Sequence, residues 1–332
     1  MTEAFIFAAN SVLPIVILIM FGYVLKRIGL LTKEFLDTGN KLAFRALLPV
    51  MLFCNVYGIK RLEDINIGFV LYGILSVIVI FLLAVPVCCI FTKNGAKRGV
   101  LIQAVFRSNY AIIGIPLAAS LFGDKGGAAA GVMSAFCIPL FNILAVVTLT
   151  VFNGSAEKRR LDIRKMLLGI VTNPLIIGTV AGLIAIGIRE LFVMYDISFR
   201  LSDVTIVYKP LESIKSICTP FALIVLGGRF EFSGVPRLWK DIVFGTVIRT
   251  VAVPLLGLIC AYMLRNVLNF SGEHFASYVG VFATPVAVSS AIMAKEMEAD
   301  DELAGQLVVW SSLVSTFTIF IYVTALVMLG IF

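Results

Sequence analysis

Two stretches of this 332-residue chain combine groups that can bind an anion with groups that can break a helix. The first reads Arg107-Ser108-Asn109-Tyr110-Ala-Ile-Ile-Gly114-Ile-Pro116, and the second Thr284-Pro285-Val-Ala-Val-Ser289-Ser290. A proline removes a backbone donor and clashes with the turn before it. A helix that restarts after such an interruption presents free N–H groups and the positive end of its dipole. That is a seat for a carboxylate. Ser108, Asn109, Tyr110, Thr284, Ser289 and Ser290 can add neutral hydrogen bonds, and Gly114, Pro116 and Pro285 mark the breaks. A simple proline kink is the competing reading. Two further residues, Arg107 and Arg249, fall inside apolar blocks. Each either attracts a carboxylate directly or holds helix-end carbonyls.

Other chemistries find no support. The six cysteines, Cys54, Cys88, Cys89, Cys137, Cys218 and Cys260, form no CxxC or Cys/His cluster, and the only histidine is His274. No metal, disulfide or cofactor is expected. HExxH, GxSxG and paired buried aspartates are absent, so an intramembrane enzyme is not expected. No Asp or Glu lies well inside an apolar block, whereas a cation or proton exchanger is expected to use buried carboxylates.

The elements that must carry these stretches are membrane helices. The chain is 60% apolar and 14% charged, with a mean hydropathy of +1.03. Soluble domains are roughly 45–50% apolar and about 25% charged. The apolar residues form ten blocks, at 5–25, 40–58, 68–91, 99–122, 127–152, 166–188, 211–229, 239–264, 275–294 and 303–331. Each is close to the roughly 20 residues of helix that cross a bilayer. The two candidate stretches sit in the fourth and ninth.

Charge sets the expected orientation. Segments after spans 1, 3, 5, 7 and 9 hold 17 Lys and Arg, against 8 on the other side. The net charge of +7 thus reads as topology and not as nucleic-acid binding. Both termini face outward, and the loop 153–165 is cytoplasmic. The acidic run Glu296 to Glu302 reads as a solvated loop.

Prolines suggest an internal repeat. Pro14, Pro49, Pro86 and Pro116 precede Pro174, Pro220, Pro254 and Pro285 by 160, 171, 168 and 169 residues. The expected fold is all-α: ten transmembrane helices as two repeats, 1–152 and 166–332, around the linker 153–165. Five helices per repeat is an odd number, so the repeats are inverted. Inverted repeats with broken helices at equivalent positions place a carrier's site near mid-membrane.

At these residues the chain resembles the auxin efflux carrier family, which includes bacterial organic-acid transporters and the plant PIN-FORMED proteins. The string Asn109 to Leu117 is similar to the family's motif ending in Gly-Ile-Pro-Leu. Pro285 through Ala294-Lys295-Glu296 is similar to its second crossover, and Asn173-Pro174 to the start of its sixth span. The resemblance implies a fold like that of bile-acid and sodium/proton carriers. Spans 1, 2, 6 and 7 would form a scaffold, and spans 3–5 and 8–10 a moving transport domain. Asn109 is the site position it carries over most directly.

The expected function is secondary transport of a small organic anion across the cell membrane by elevator-type alternating access. Candidate substrates are malate, malonate or an auxin-like acid. A coupling ion (proton or sodium) and a homodimer are consistent with the resemblance. A membrane sensor for such a ligand, or a carrier of a cation or neutral solute, stays open. Asn55, Asn142, Asn173, Ser134, Ser312 and Ser315 read first as helix-packing groups.

Overall fold

The computed structural model describes residues 2–58, 66–152, 168 and 171–332. The linker expected at 153–165 lies outside them. Among the described residues the regular elements are helices, apart from one isolated β-bridge between Ser108 and Val286. They are α1 (Thr2–Arg27), α2 (Lys33–Leu42), α3 (Leu48–Tyr57), α4 (Ile67–Phe91), α5 (Gly95–Phe106), α6 (Ile115–Phe152) and α7 (Pro174–Met194). There follow α8 (Thr205–Arg229), α9 (Val235–Val247), α10 (Val253–Leu268), α11 (Gly272–Ala283), α12 (Val288–Glu296) and α13 (Asp301–Met328). Single π-helical turns join α2 to α3 (Ala43–Leu47), lead into α6 (Tyr110–Gly114) and join α9 to α10 (Ile248–Ala252).

Six of these helical stretches are long and apolar enough to cross a bilayer: Ile67–Phe91, Tyr110–Phe152, Pro174–Met194, Thr205–Arg229, Phe232–Leu268 and Asp301–Met328. α6 is two rods. Phe122 and Gly123 leave helical geometry, Gly123 at φ 57°, a left-handed value that glycine adopts without a side-chain clash. The expected boundary between blocks at 99–122 and 127–152 falls there. α4 shows how such a helix meets lipid. Leu71, Leu75, Val79 and Leu82 are exposed on one stripe, while Phe69, Tyr72, Val77 and Ile80 face the core. Both stripes are apolar, as expected of a helix with lipid on one side and protein on the other.

Side-chain bonds sort the connections onto two ends of the bundle. At one end Arg229 reaches Asp37 (2.7 Å) and Asp301 (2.6 Å), Lys97 reaches Asp241 (2.6 Å), and Arg237 pairs with Glu302. Asn40 donates to Glu296 there (2.9 Å). These bonds gather the segments after α1, α4, α8 and α12. At the other end Asn66 donates to the carbonyls of Leu268 and Asn269, and Phe122 packs edge-on against Phe332. The acidic run 296–302, expected to be a solvated loop, is instead partly tied down: Glu296, Asp301 and Glu302 each hold a partner on another helix.

Candidate functional site

The broken helices differ from the expectation built on prolines. α11 does break at its proline: Thr284 is extended (φ −70°, ψ 154°), the conformation favoured before proline, and α12 restarts at Val288. The earlier break lies at Arg107–Asn109, upstream of Pro116, which is helical. Gly95 and Gly272 open the broken helices, and Phe91 and Leu268 close the ones before, a common offset of 177 residues (272 − 95 and 268 − 91). The prolines of those spans, at offsets of 168 and 169, are therefore out of register with the helix ends.

The physical reason is visible in the π turns. Pro49, Pro116 and Pro254 are each the second residue of the helix that follows a π turn. A proline ring clashes with the carbonyl one turn back, and widening that turn relieves the clash without ending the helix. These three prolines widen a helix where Pro285 interrupts one.

The two breaks lie against each other. The Asn109 N–H donates to the Pro285 carbonyl (2.8 Å), and the Ala287 N–H donates to the Arg107 carbonyl (3.3 Å), around the Ser108–Val286 bridge. The Val286 N–H donates to Ser311 Oγ on α13 (3.0 Å). Unwound backbone at membrane depth is tolerated where protein satisfies it, and these bonds do so. Close approach of the half-helices needs glycine. A Cβ on Gly280 would stand 2.8 Å from the Gly114 Cα and 2.8 Å from the Tyr110 ring.

Arg249 closes the opposite side of the crossing. Fully buried, it donates from Nε to the Thr284 carbonyl (2.9 Å), and from its two terminal nitrogens to those of Val281 (2.9 Å) and Val105 (3.1 Å). Val105 and Val281 lie in the last turns of α5 and α11, where carbonyls lack intrahelical partners and the dipole is negative. One cation thus serves both helix ends.

The restarted ends border a cavity of about 50 Å³. Arg107, Ser108, Asn109, Tyr110 and Ser289, all expected at the site, line it. Its opposite wall is mostly apolar: Leu48, Met51 and Leu52 of α3, Ile138 and Phe141 of α6, and Ala222 of α8, with Thr219 of α8 as a polar member. Gly114, Pro116, Thr284, Pro285, Ser290 and Arg249 do not line it. Thr284 Oγ1 instead donates to the Gly280 carbonyl (2.7 Å). The Tyr110 hydroxyl is also turned away, donating to the Ala130 carbonyl (3.1 Å) and bonding Ser277 Oγ (2.6 Å).

Arg107 is 3% exposed and has no ion pair among the described residues. Its guanidinium donates to Asn142 Oδ1 (2.7 Å), Ser289 Oγ (3.0 Å) and Met293 Sδ (3.1 Å). Ser108 Oγ, Asn109 Nδ2 and Asn142 Nδ2 are buried at the cavity and have no hydrogen-bond partner among the described residues. Asn142, read from the sequence as a packing group, lines this cavity as well. Its signal was an amide in the middle of an apolar run, Phe141-Asn142-Ile143. Four of the other weak candidates hold local structural bonds: Ser134, Ser312 and Ser315 donate to carbonyls of their own helices, and Asn173 caps α7.

An all-helical bundle with lipid-facing apolar stripes and a buried polar crossing defines a multi-pass integral membrane protein. Residues 7–323 match the family described as membrane transport protein. The chain belongs to that family, which contains the auxin efflux carriers. It is 23% identical over 319 residues to an uncharacterized transporter of Methanothermobacter thermautotrophicus, covering 94% of this chain and 96% of that one. It is 24% identical over 305 residues to an uncharacterized transporter of Methanocaldococcus jannaschii, covering 89% and 91%. The family is one of transporters and not of enzymes.

Proposed function

We propose that the protein is a secondary carrier of a small organic anion, a carboxylate such as malate, malonate or an auxin-like acid, seated in the cavity between the paired helix breaks. The observation that carries this reading is Arg107: a buried guanidinium with only neutral partners, on the wall of a cavity that two helix N-termini also border. A buried charge is normally paired. Here a bound carboxylate would complete the pair, with the restarted helix ends and Asn109 as further donors. Among the described residues no carboxylate lines the cavity to repel it.

Movement by alternating access is part of the proposal. Repeats 1–152 and 166–332 would be inverted copies joined by 153–165, with spans 1, 2, 6 and 7 as the scaffold and spans 3–5 and 8–10 moving. Support comes from two matching contacts. Gly22 on α1 packs against Ile224 on α8, and Gly182 on α7 packs against Phe53 and Val56 on α3. By the first two proline offsets, Gly182 is the counterpart of Gly22 and Ile224 that of Phe53. The end of the bundle holding Arg229 and Lys295 would face the cytoplasm, since it carries the excess of Lys and Arg.

Uptake of labelled malate, malonate and indole-3-acetate into proteoliposomes tests the function, with Asn109→Ala beside the wild type. Saturable uptake of one acid, reduced at least tenfold in the variant, is expected. No uptake of any of them under potential, proton or sodium gradients contradicts it. Binding without flux would indicate a sensor instead.

A further inference from the structure

We propose that Asn142 sets the charge selectivity of this site: by holding Arg107 with a neutral amide, it leaves the guanidinium's charge available to an anion. The inference rests on the anion-carrier reading above and adds the residue that makes the site cationic.

The contact from Arg107 to Asn142 Oδ1, at 2.7 Å, is the shortest of the guanidinium's three. The donor fixes the amide orientation, with oxygen toward Arg107 and Nδ2 buried with no partner among the described residues. An aspartate in the same shape would place a carboxylate on the guanidinium and cancel its charge. Elsewhere the chain does pair arginine with acid: Arg229 lies between Asp37 and Asp301, and Arg237 pairs with Glu302. Arg189, also buried, pairs with Glu190, and buried Arg249 is offset by three carbonyls at helix C-terminal ends. Among the described residues Arg107 alone combines burial, a position on the cavity wall and exclusively neutral side-chain partners. Ser289 and Met293 cannot supply a negative charge, so the residue at 142 decides the sign of the site. Asn142 is therefore a positioning residue that acts through Arg107.

The test compares wild type, Asn142→Asp and Asn142→Ala, purified in detergent. Melting temperature and apparent Kd are measured with malonate, malate, indole-3-acetate and nitrate, the last as a small inorganic anion. The isosteric acid is expected to weaken anion binding at least tenfold and to melt above the wild type without ligand, because the buried charge gains a partner. The alanine variant keeps the positive charge and is expected to lose less affinity than the acid variant. A structural amide would give the reverse order. Asn142→Asp binding as tightly as the wild type, Asn142→Ala losing as much as Asn142→Asp, or Asn142→Asp melting no higher than the wild type would each overturn the inference. A wild type that responds to nitrate but to no organic acid would sink only the substrate class. A wild type that responds to none of the four would sink the carrier reading and the charge inference together.

Discussion

Arg107 and Arg249, the buried arginines at the helix crossing, are predicted to respond very unequally to the same substitution. Arg249→Met removes a guanidinium of similar length and leaves the carbonyls of Thr284, Val281 and Val105 without their donor. Hydrogen bonds to a charged group contribute about 1.5–3 kcal/mol each, and an orphaned buried acceptor costs about 1–3 kcal/mol. Relaxation of the helix ends recovers part of the sum, so a loss of roughly 3–5 kcal/mol is expected. Arg107→Met removes a charge that has no acid partner. Replacing buried ionic groups by apolar ones of like volume is often neutral or stabilising by about 1–4 kcal/mol. Against that stand two lost neutral acceptors, Asn142 Oδ1 and Ser289 Oγ. The expected net change is a loss of no more than about 1 kcal/mol, or a gain, together with loss of anion binding. Denaturant or thermal unfolding in detergent reads both. If Arg249→Met falls within about 1 kcal/mol of wild type, or Arg107→Met is the more destabilised, the division of roles is wrong.

Two further perturbations follow from packing and charge. Gly280→Ala places a methyl against the Gly114 backbone and the Tyr110 ring. Overpacking of this kind costs about 1–3 kcal/mol, and the melting temperature of the variant should fall while Gly131→Ala, with open space around its Cβ, stays near wild type. At the charged end of the bundle, outside the membrane-spanning segments, the hydrogen bond from Arg229 holds the Asp37 carboxyl below its usual range. A depressed folded pKa contributes stability above the unfolded value of about 3.9, and that contribution is lost as pH falls through the folded pKa. The stability difference between wild type and Arg229→Gln should thus be full at pH 7 and shrink below about pH 4. Asp37 is 39% exposed, so the effect is small. A difference that grows toward acid would contradict this pairing.

Much of the helical arrangement is legible in the sequence because hydropathy alone decides it. The C-terminal ends of α4 and α8, and the division of α6 at Phe122–Gly123, fall where the apolar blocks end. The break at Pro285 is legible for the same local reason, a proline beside small residues in an apolar run. The break at Arg107–Asn109 is not legible from proline position, because Pro116 is accommodated by a π turn. That break shows only in the polar triplet Arg-Ser-Asn and in the family motif. The roles of the two arginines are the least legible. Arg249 meets Val105 across 144 residues and Arg107 meets Ser289 across 182, and local spacing does not encode such contacts. The place of Asn142 is hidden for the same reason: an amide in an apolar helix looks alike whether it bridges helices or borders a cavity.

The central claim is that the uncompensated charge of Arg107 is what admits an organic anion to the crossing. It is tested most directly by uptake of the same labelled acids into proteoliposomes reconstituted with equal amounts of folded wild type and Arg107→Gln. The account predicts saturable uptake of at least one acid by the wild type and a loss of tenfold or more in the variant, with its melting temperature preserved. Uptake by Arg107→Gln at the wild-type rate, or a wild type that carries none of the acids, would contradict it.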